Sequence, residues 1–427
     1  MSIFLQRVMA EALMTANSID PESTAFQKGH LSVGTNSASS SGDSADGVSL
    51  ESAIHNHLLN LGFSRNGSRY FIDGVVTKQK IRNLHAAQRV DILERQRRFV
   101  ETHGVELAEH FASGSQIDPG SIDPKLVQVS PGSLESRLFR FASLLWSVPV
   151  SQGFGRRLRF LVKDRQNDCL IGLFALGDPV FNLSARDNWI GWTHEDRRDR
   201  LVHVMDAYVV GAVPPYSQLI GGKLVAALMG SKEVRRAYER KYLDRQSVIR
   251  QRKHRARLVL LTTTSALGRS SLYNRLSIPD GPRFLRIGTT KGFGHFHLYG
   301  EVFDLLRAHL EETGHPYASG NRFGMGPNWK LRVARAALED IGIDGDSILK
   351  HGIEREVYAI PLAENWKKVL SGEHQRVRSL TKPAVEISEF CLDRWIVPRS
   401  ERDASFRSFD SGSIISTLLN GGPGAAW

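Results

Sequence analysis

Val204-Met205-Asp206-Ala207-Tyr208-Val209-Val210 is an apolar run interrupted by one carboxylate. It leads through Val213-Pro214-Pro215-Tyr216-Ser217-Gln218-Leu219-Ile220 into Gly221-Gly222-Lys223-Leu224, a proline turn followed by a glycine-bearing helix start. A second apolar run, Leu258-Val259-Leu260-Leu261-Thr262-Thr263-Thr264, breaks into Ser265-Ala266-Leu267-Gly268-Arg269-Ser270-Ser271-Leu272-Tyr273-Asn274-Arg275-Leu276. Arg286-Ile287-Gly288-Thr289-Thr290 closes the unit. Strand, glycine-led helix, strand, short helix is how an α/β domain places an anion pocket at the ends of two neighbouring strands. The stretch therefore predicts an α/β (α+β) fold built on a mixed sheet with flanking helices.

Working outward, Arg157, Arg159 and Lys163 alternate with Leu158, Phe160 and Val162, the period of a half-buried strand. Cys169 to Leu176 is mostly apolar and pairs with it as a hairpin. Upstream, a helix over about 77–103 carries Ile81, Leu84, Val90, Leu93 and Phe99 on one face and Lys78, Lys80, Arg82, Arg95 and Arg97 on the other. Downstream, His295-Phe296-His297-Leu298-Tyr299 alternates like a strand, and helices over 301–312 and from Lys330 onward precede a strand at Val357–Pro361. The expected organisation is a low-complexity tail (1–49), a helical N-terminal region (50–150), the central α/β domain (151–300) and a mixed C-terminal region (301–427).

A chain of 427 residues exceeds one ordinary core, so two or three folded units are expected. No apolar run approaches the length that crosses a bilayer. Cys169 and Cys391 are the only cysteines, which excludes a disulfide framework and fits a reducing, cytoplasmic setting. The net charge of +11 permits contact with a polyanion. Positive charge is densest over 231–257, and Arg250, Arg252, Lys253 and Arg255 are the nominated contacts to DNA or RNA, against the plainer reading of a solvated surface connection.

Gln218, Gly221 and Gly222 resemble the Gln/Arg-x-x-Gly-x-Gly/Ala loop with which acetyltransferases of the N-acetyltransferase (GNAT) fold hold the coenzyme A pyrophosphate. Lys223 departs from that pattern, standing where glycine or alanine is usual. The resemblance implies a coenzyme A-type ligand on Gln218, Gly221, Gly222 and Lys223, Asp206 as base and Tyr273 as acid. A phenol titrating near ~10 can protonate a thiolate whose acid titrates near ~8.5. The plainer readings are close helix–sheet packing for the glycines, packing for Tyr273 and an arginine partner for Asp206. The hydroxyl-rich turn after the second strand adds Thr264, Arg269, Ser270 and Asn274 as ligand-binding candidates, because an arginine among hydroxyls clamps anions. A turn capping its own backbone is the alternative. His295 and His297 lack a third ligand, so no metal is nominated.

Longer phrases point to one family. Ser147-Val148-Pro149-Val150-Ser151 runs into Gly153-Phe154-Gly155-Arg156-Arg157-Leu158-Arg159-Phe160. Leu176-Gly177-Asp178-Pro179-Val180-Phe181 precedes Arg186-Asp187-Asn188-Trp189-Ile190-Gly191-Trp192, and Gly326-Pro327-Asn328-Trp329-Lys330 follows. With Asp206-Ala207-Tyr208, Gly211-Ala212-Val213-Pro214-Pro215-Tyr216 and the 262–271 turn, these resemble the DruA family of the Druantia anti-phage defence system over about residues 50–410. The resemblance implies a defence role beside a large helicase-like partner, and similar domains occur in transposon-associated proteins. Three function classes follow: a defence component engaging nucleic acid through a basic surface, an acyltransferase-like enzyme, or a scaffold without a ligand.

Overall fold

A computed structural model describes residues 49–67, 69–151, 153–244, 255–319, 328–373 and 376–421. The expected tail and the cations Arg250, Arg252 and Lys253 lie outside the described residues. Two short strands, β1 (Ser64–Asn66) and β2 (Arg69–Phe71), form an antiparallel ribbon. The main sheet comprises β3 (Pro124–Gln128), β4 (Leu158–Asp164), β5 (Leu170–Gly177), β6 (Val204–Ala212), β7 (Leu260–Thr264), β8 (Leu285–Thr289) and β9 (Glu356–Pro361). In space the order is β3-β4-β5-β6-β7-β9-β8. All neighbours are antiparallel except β6 and β7, which run parallel. The fold is the expected mixed α/β class.

Helices fill the connections. α1 (Leu50–Asn60), α2 (Lys78–Ala108) and α3 (Leu134–Ser143) precede the β4–β5 hairpin. α4 (Ser184–Ile190) and α5 (His194–Arg200) lead to β6. α6 (Gly221–Leu228) and α7 (Lys232–Tyr242) join β6 to β7, the crossover that a parallel pair requires. α8 (Gly300–Glu312), α9 (Trp329–Asp340) and α10 (Gly345–Leu349) lie between β8 and β9. α11 (Trp366–Leu370), α12 (Ala384–Cys391), a π-helical turn (Leu392–Ile396), α13 (Val397–Arg402) and α14 (Ser413–Leu419) follow.

Side chains alternate across a strand, so each face of the sheet buries its own core. One face sets Phe160, Phe174, Met205, Ala207, Leu261 and Tyr358 against Leu224, Tyr238 and Ile387 of α6, α7 and α12. The opposite face is covered in two parts. Leu161, Leu173 and Val209 meet Val100, Leu107 and Phe141 of α2 and α3. Val204, Leu260 and Ala359 meet Trp192 and Leu370. A further core unites Ile54 and Leu58 of α1 with Val302, Leu306, Val333 and Ile348 of α8, α9 and α10. That helical lobe leaves the sheet after Thr289 and returns at Glu356, which are register partners.

β6 and β7 pair only over Val204–Ala207 and Leu260–Thr263. β6 then continues along β5 to Ala212, with Tyr208 slipped out of register as a bulge between Ala207 and Val209. β7 instead pairs on its other side with β9, Thr264 facing Val357. The two strands therefore part just beyond Ala207.

Two local expectations fail. Residues 271–276 are turns, not a helix, because side chains take up their backbone groups: the Tyr273 amide donates to Ser270 Oγ at 3.0 Å and the Ser270 amide to Glu356 Oε2 at 2.9 Å. His295–Tyr299 is not a strand. The Leu298 amide donates back to the His295 carbonyl at 3.0 Å, and Gly300 follows with φ +60°, so the two histidines share no strand face.

Candidate functional site

Asp206 and Thr262 are register partners, and Thr262 Oγ1 donates to Asp206 Oδ1 at 2.6 Å. Both lie on the face covered by α4 and α11. Asp206 keeps some exposed surface. The protein around it nevertheless desolvates the carboxyl and pushes it up to about 6, opposed by the Thr262 hydrogen bond and the charge of Arg186. A carboxylate titrating there is still ionised at neutral pH and basic enough to take a proton.

Arg186 is fully buried beneath it. Its Nε donates to Asp187 Oδ1 at 2.8 Å, and Nη1 and Nη2 donate to the Val180 and Phe181 carbonyls, each at 2.9 Å. Asp187 Oδ2 also accepts from the Leu183 amide at 3.0 Å and Arg197 Nη1 at 3.4 Å. Sequence reasoning missed this group. The only signal was a charged Arg-Asp pair set immediately before Trp189-Ile190-Gly191-Trp192, where an exposed helix would have been more polar.

Tyr273 lies on the opposite face. Its phenol bonds Thr263, whose Oγ1 donates to the Ala207 carbonyl at 2.9 Å. Its ring stacks on Phe284 at 5.7 Å and tilts against Tyr358 at 5.3 Å. Burial pushes the phenol up to about 12; the Thr263 bond lowers it and the charge of Asp206 raises it. The nominated base is thus a strand residue on one face of the sheet, and the nominated acid packs from a turn onto the other face.

Glu356 anchors the turn between them. Besides the Ser270 amide, its carboxylate accepts from Tyr358 Oη at 2.7 Å and from Arg286 Nε at 2.8 Å. Ser270 is buried and caps Tyr273, whereas Arg269 and Asn274 are exposed and Thr264 is half-buried.

The glycine-led helix start does reach this turn. A Cβ on Gly222 would lie 3.1 Å from the Leu272 side chain, and one on Gly221 would lie 2.6 Å from the Tyr216 carbonyl oxygen. Ile220 enters the helix with φ +61°, a left-handed backbone that β-branched residues rarely adopt. The Gly221 amide already donates to Tyr216 at 2.9 Å and the Lys223 amide to Ile220 at 3.0 Å. Lys223 turns toward the C-terminal π-helical turn, with Nζ 5.0 Å from the Trp395 ring centroid. Burial and the nearby Arg394 lower its pKa. Gln218 is exposed, and its carbonyl accepts from Arg399 Nε at 3.2 Å.

Elsewhere, Arg255 is exposed, as are Arg236 and Arg240 of α7. His85, His297 and His351 are buried around Phe296. No group of His, Cys, Asp and Glu suited to a metal occurs among the described residues. A concavity lined by Leu310, Gly314 and Ala318 lies at the end of α8, and none of the nominated residues lines it. No helix among the described residues is long and apolar enough to cross a membrane.

Fold and site together define a mixed α/β protein with a half-buried carboxylate where two parallel strands part and a strongly basic balance of charge. A family model described as Druantia protein DruA matches residues 75–372. Druantia protein DruA of Escherichia coli (strain UMEA 4076-1) is 45% identical over 373 residues, which cover 87% of this chain and 92% of that protein. The chain belongs to the DruA family. No solved structure matches it.

Proposed function

We propose that this protein acts as the DruA component of a Druantia-type anti-phage defence system, in the cytoplasm and beside a helicase-like partner, and that it engages nucleic acid through its basic side. Kinship across 87% of the chain supports the defence role. The observation that carries the nucleic-acid reading is the set of exposed arginines on and after α7: Arg236, Arg240 and Arg255. Phosphate binding needs several cations on one surface and weakens steeply with salt. The test is anisotropy of a labelled oligonucleotide with the full chain. Arg236→Glu/Arg240→Glu/Arg255→Glu should abolish salt-sensitive binding, and unchanged affinity would remove the reading.

A second reading, acyl or related group transfer with a coenzyme A-type cofactor, is favoured by three features together. β6 and β7 part beyond Ala207, Tyr208 bulges at the parting, and the Asp206 carboxyl beside it is pushed up to about 6. In this reading Asp206 is the base, whereas Tyr273 packs on the other face of the sheet. Coenzyme A should then raise the melting temperature, and Gly221→Asp should remove the shift. No shift at millimolar ligand counts against it.

A further inference from the structure

The end of the sheet away from the parting of β6 and β7 is built from three connections stitched together through their backbones. The Val259 amide donates to the His203 carbonyl at 3.1 Å, the Leu362 amide to Val259 at 2.9 Å and the Leu380 amide to Leu362 at 2.9 Å. The Arg257 amide donates to His203 Nδ1 at 3.2 Å. Segments that are distant in sequence are therefore held side by side at this end of the sheet.

The surface there is cationic. Lys367, Lys368 and Arg376 are exposed on it, and Asn365 Nδ2 donates to the Arg376 carbonyl at 2.9 Å, which ties Arg376 to α11. The carboxylates beside them are engaged: Glu364 lies 3.5 Å from Arg378, and Glu373 accepts from Ser371 Oγ at 2.9 Å. Among the cations stand two half-buried tryptophans. Trp189 of α4 and Trp366 of α11 stack with centroids 4.3 Å apart and planes 12° from parallel. Lys367 Nζ lies 5.5 Å from the Trp366 centroid.

Cations that track a phosphate backbone, interleaved with indole rings, form the chemistry that holds unpaired nucleotides. A duplex hides the faces of its bases from such rings. We propose that this surface binds single-stranded nucleic acid, with phosphates on Lys367, Lys368 and Arg376 and a base against the tryptophan pair. The inference rests on the nucleic-acid reading above and adds a location and a strandedness to it.

The test compares a labelled oligodeoxythymidine with a mixed-sequence duplex of equal length, using the full chain across a salt series. The single strand should bind at least about tenfold tighter and quench tryptophan emission. Lys367→Glu/Lys368→Glu should weaken it at least about tenfold and flatten the slope of log K against log salt by about 1.4, the value for two phosphate contacts on a single strand. Trp366→Leu should weaken binding about fivefold or more with the salt slope kept. If Trp366→Leu fails to fold, the exposed lysine pair decides alone. Equal affinity for duplex overturns the proposal, as does poly-glutamate binding with the same strength and salt slope. Unchanged binding by the lysine variant, while Arg236→Glu/Arg240→Glu/Arg255→Glu loses it, overturns this location and leaves the nucleic-acid reading standing. A wild-type chain that binds neither probe overturns both.

Discussion

The two ends of the β6–β7 pair are made from the same strands and carry opposite kinds of polar group. Where the strands part, Asp206, Ser270 and Tyr273 are each bonded to another piece of the chain, and Arg186 and Glu356 sit beneath them as anchors. At the far end, Lys367 and Lys368 stand in solvent. Buried polar groups are costly to disturb because each leaves a desolvated partner behind. Exposed charges interact weakly with the fold and strongly with an incoming polyanion. One end is therefore tied to stability and the other is free to be tuned for binding.

The largest effect expected of a substitution is that of Arg186→Met. It strands Asp187 Oδ1 and two carbonyls without their donor, and a loss of about 3–5 kcal/mol in urea unfolding is expected, with Asp206 titrating still higher. A loss below 1 kcal/mol would show that the parting end is not anchored from beneath.

Acid provides a yardstick from the helical lobe. Burial lowers His85 to about 4 and both His297 and His351 to about 3, from an ordinary value of 6.5. Between those values the unfolded chain binds more protons than the folded one. Stability is thus fully present above about 6.5 and falls as pH drops, by about 1.4 kcal/mol per pH unit for each such histidine. Chemical denaturation from pH 7 to pH 4.5 checks this; a flat profile would mean that the histidines are solvated.

Glu356→Gln should cost about 1–3 kcal/mol through its bonds to Ser270, Tyr358 and Arg286, and should speed hydrogen exchange at the Ser270 amide. Thr262→Val should cost about 0.5–1.5 kcal/mol and raise the Asp206 pKa, read by carboxyl NMR titration. Asp206 runs opposite in sign to the histidines. Its folded value is raised from 3.8 to about 6, so its contribution is present below the lower value and is lost as pH rises through the upper one. Smallest of all, Lys367→Glu/Lys368→Glu should shift unfolding by no more than about 0.5 kcal/mol for each change. A larger loss would dissolve the contrast between the ends.

Much of this architecture was legible in the residues. The apolar runs at 204–210 and 258–264 and the glycines between them are local signals, and they place two neighbouring strands with a glycine-led helix between them. The position of β9 between β7 and β8 was not, because it depends on pairing across an intervening lobe. Nor was the separation of Asp206 from Tyr273. It turns on strand parity, and on a Ser270–Glu356 interaction spanning 86 residues that holds the tyrosine in a turn. Arg186 escaped notice because charged residues in a short helix read as surface. The alternation at His295–Tyr299 misled because aromatic spacing in a buried turn can imitate a strand.

The place where the helical lobe leaves and rejoins the sheet carries a last consequence. Thr289 and Glu356 face each other, and the Thr290 amide donates to the Arg355 carbonyl at 2.9 Å, so the lobe hangs from a single doorway in a hairpin. A lineage could close that doorway with a tight turn and leave every strand pairing intact. Ile54 and Leu58 of α1 would then keep only Phe63, Tyr70, Ile81 and Leu84 of their present core, so the lobe and the helix that opens the described fold would tend to be inherited together.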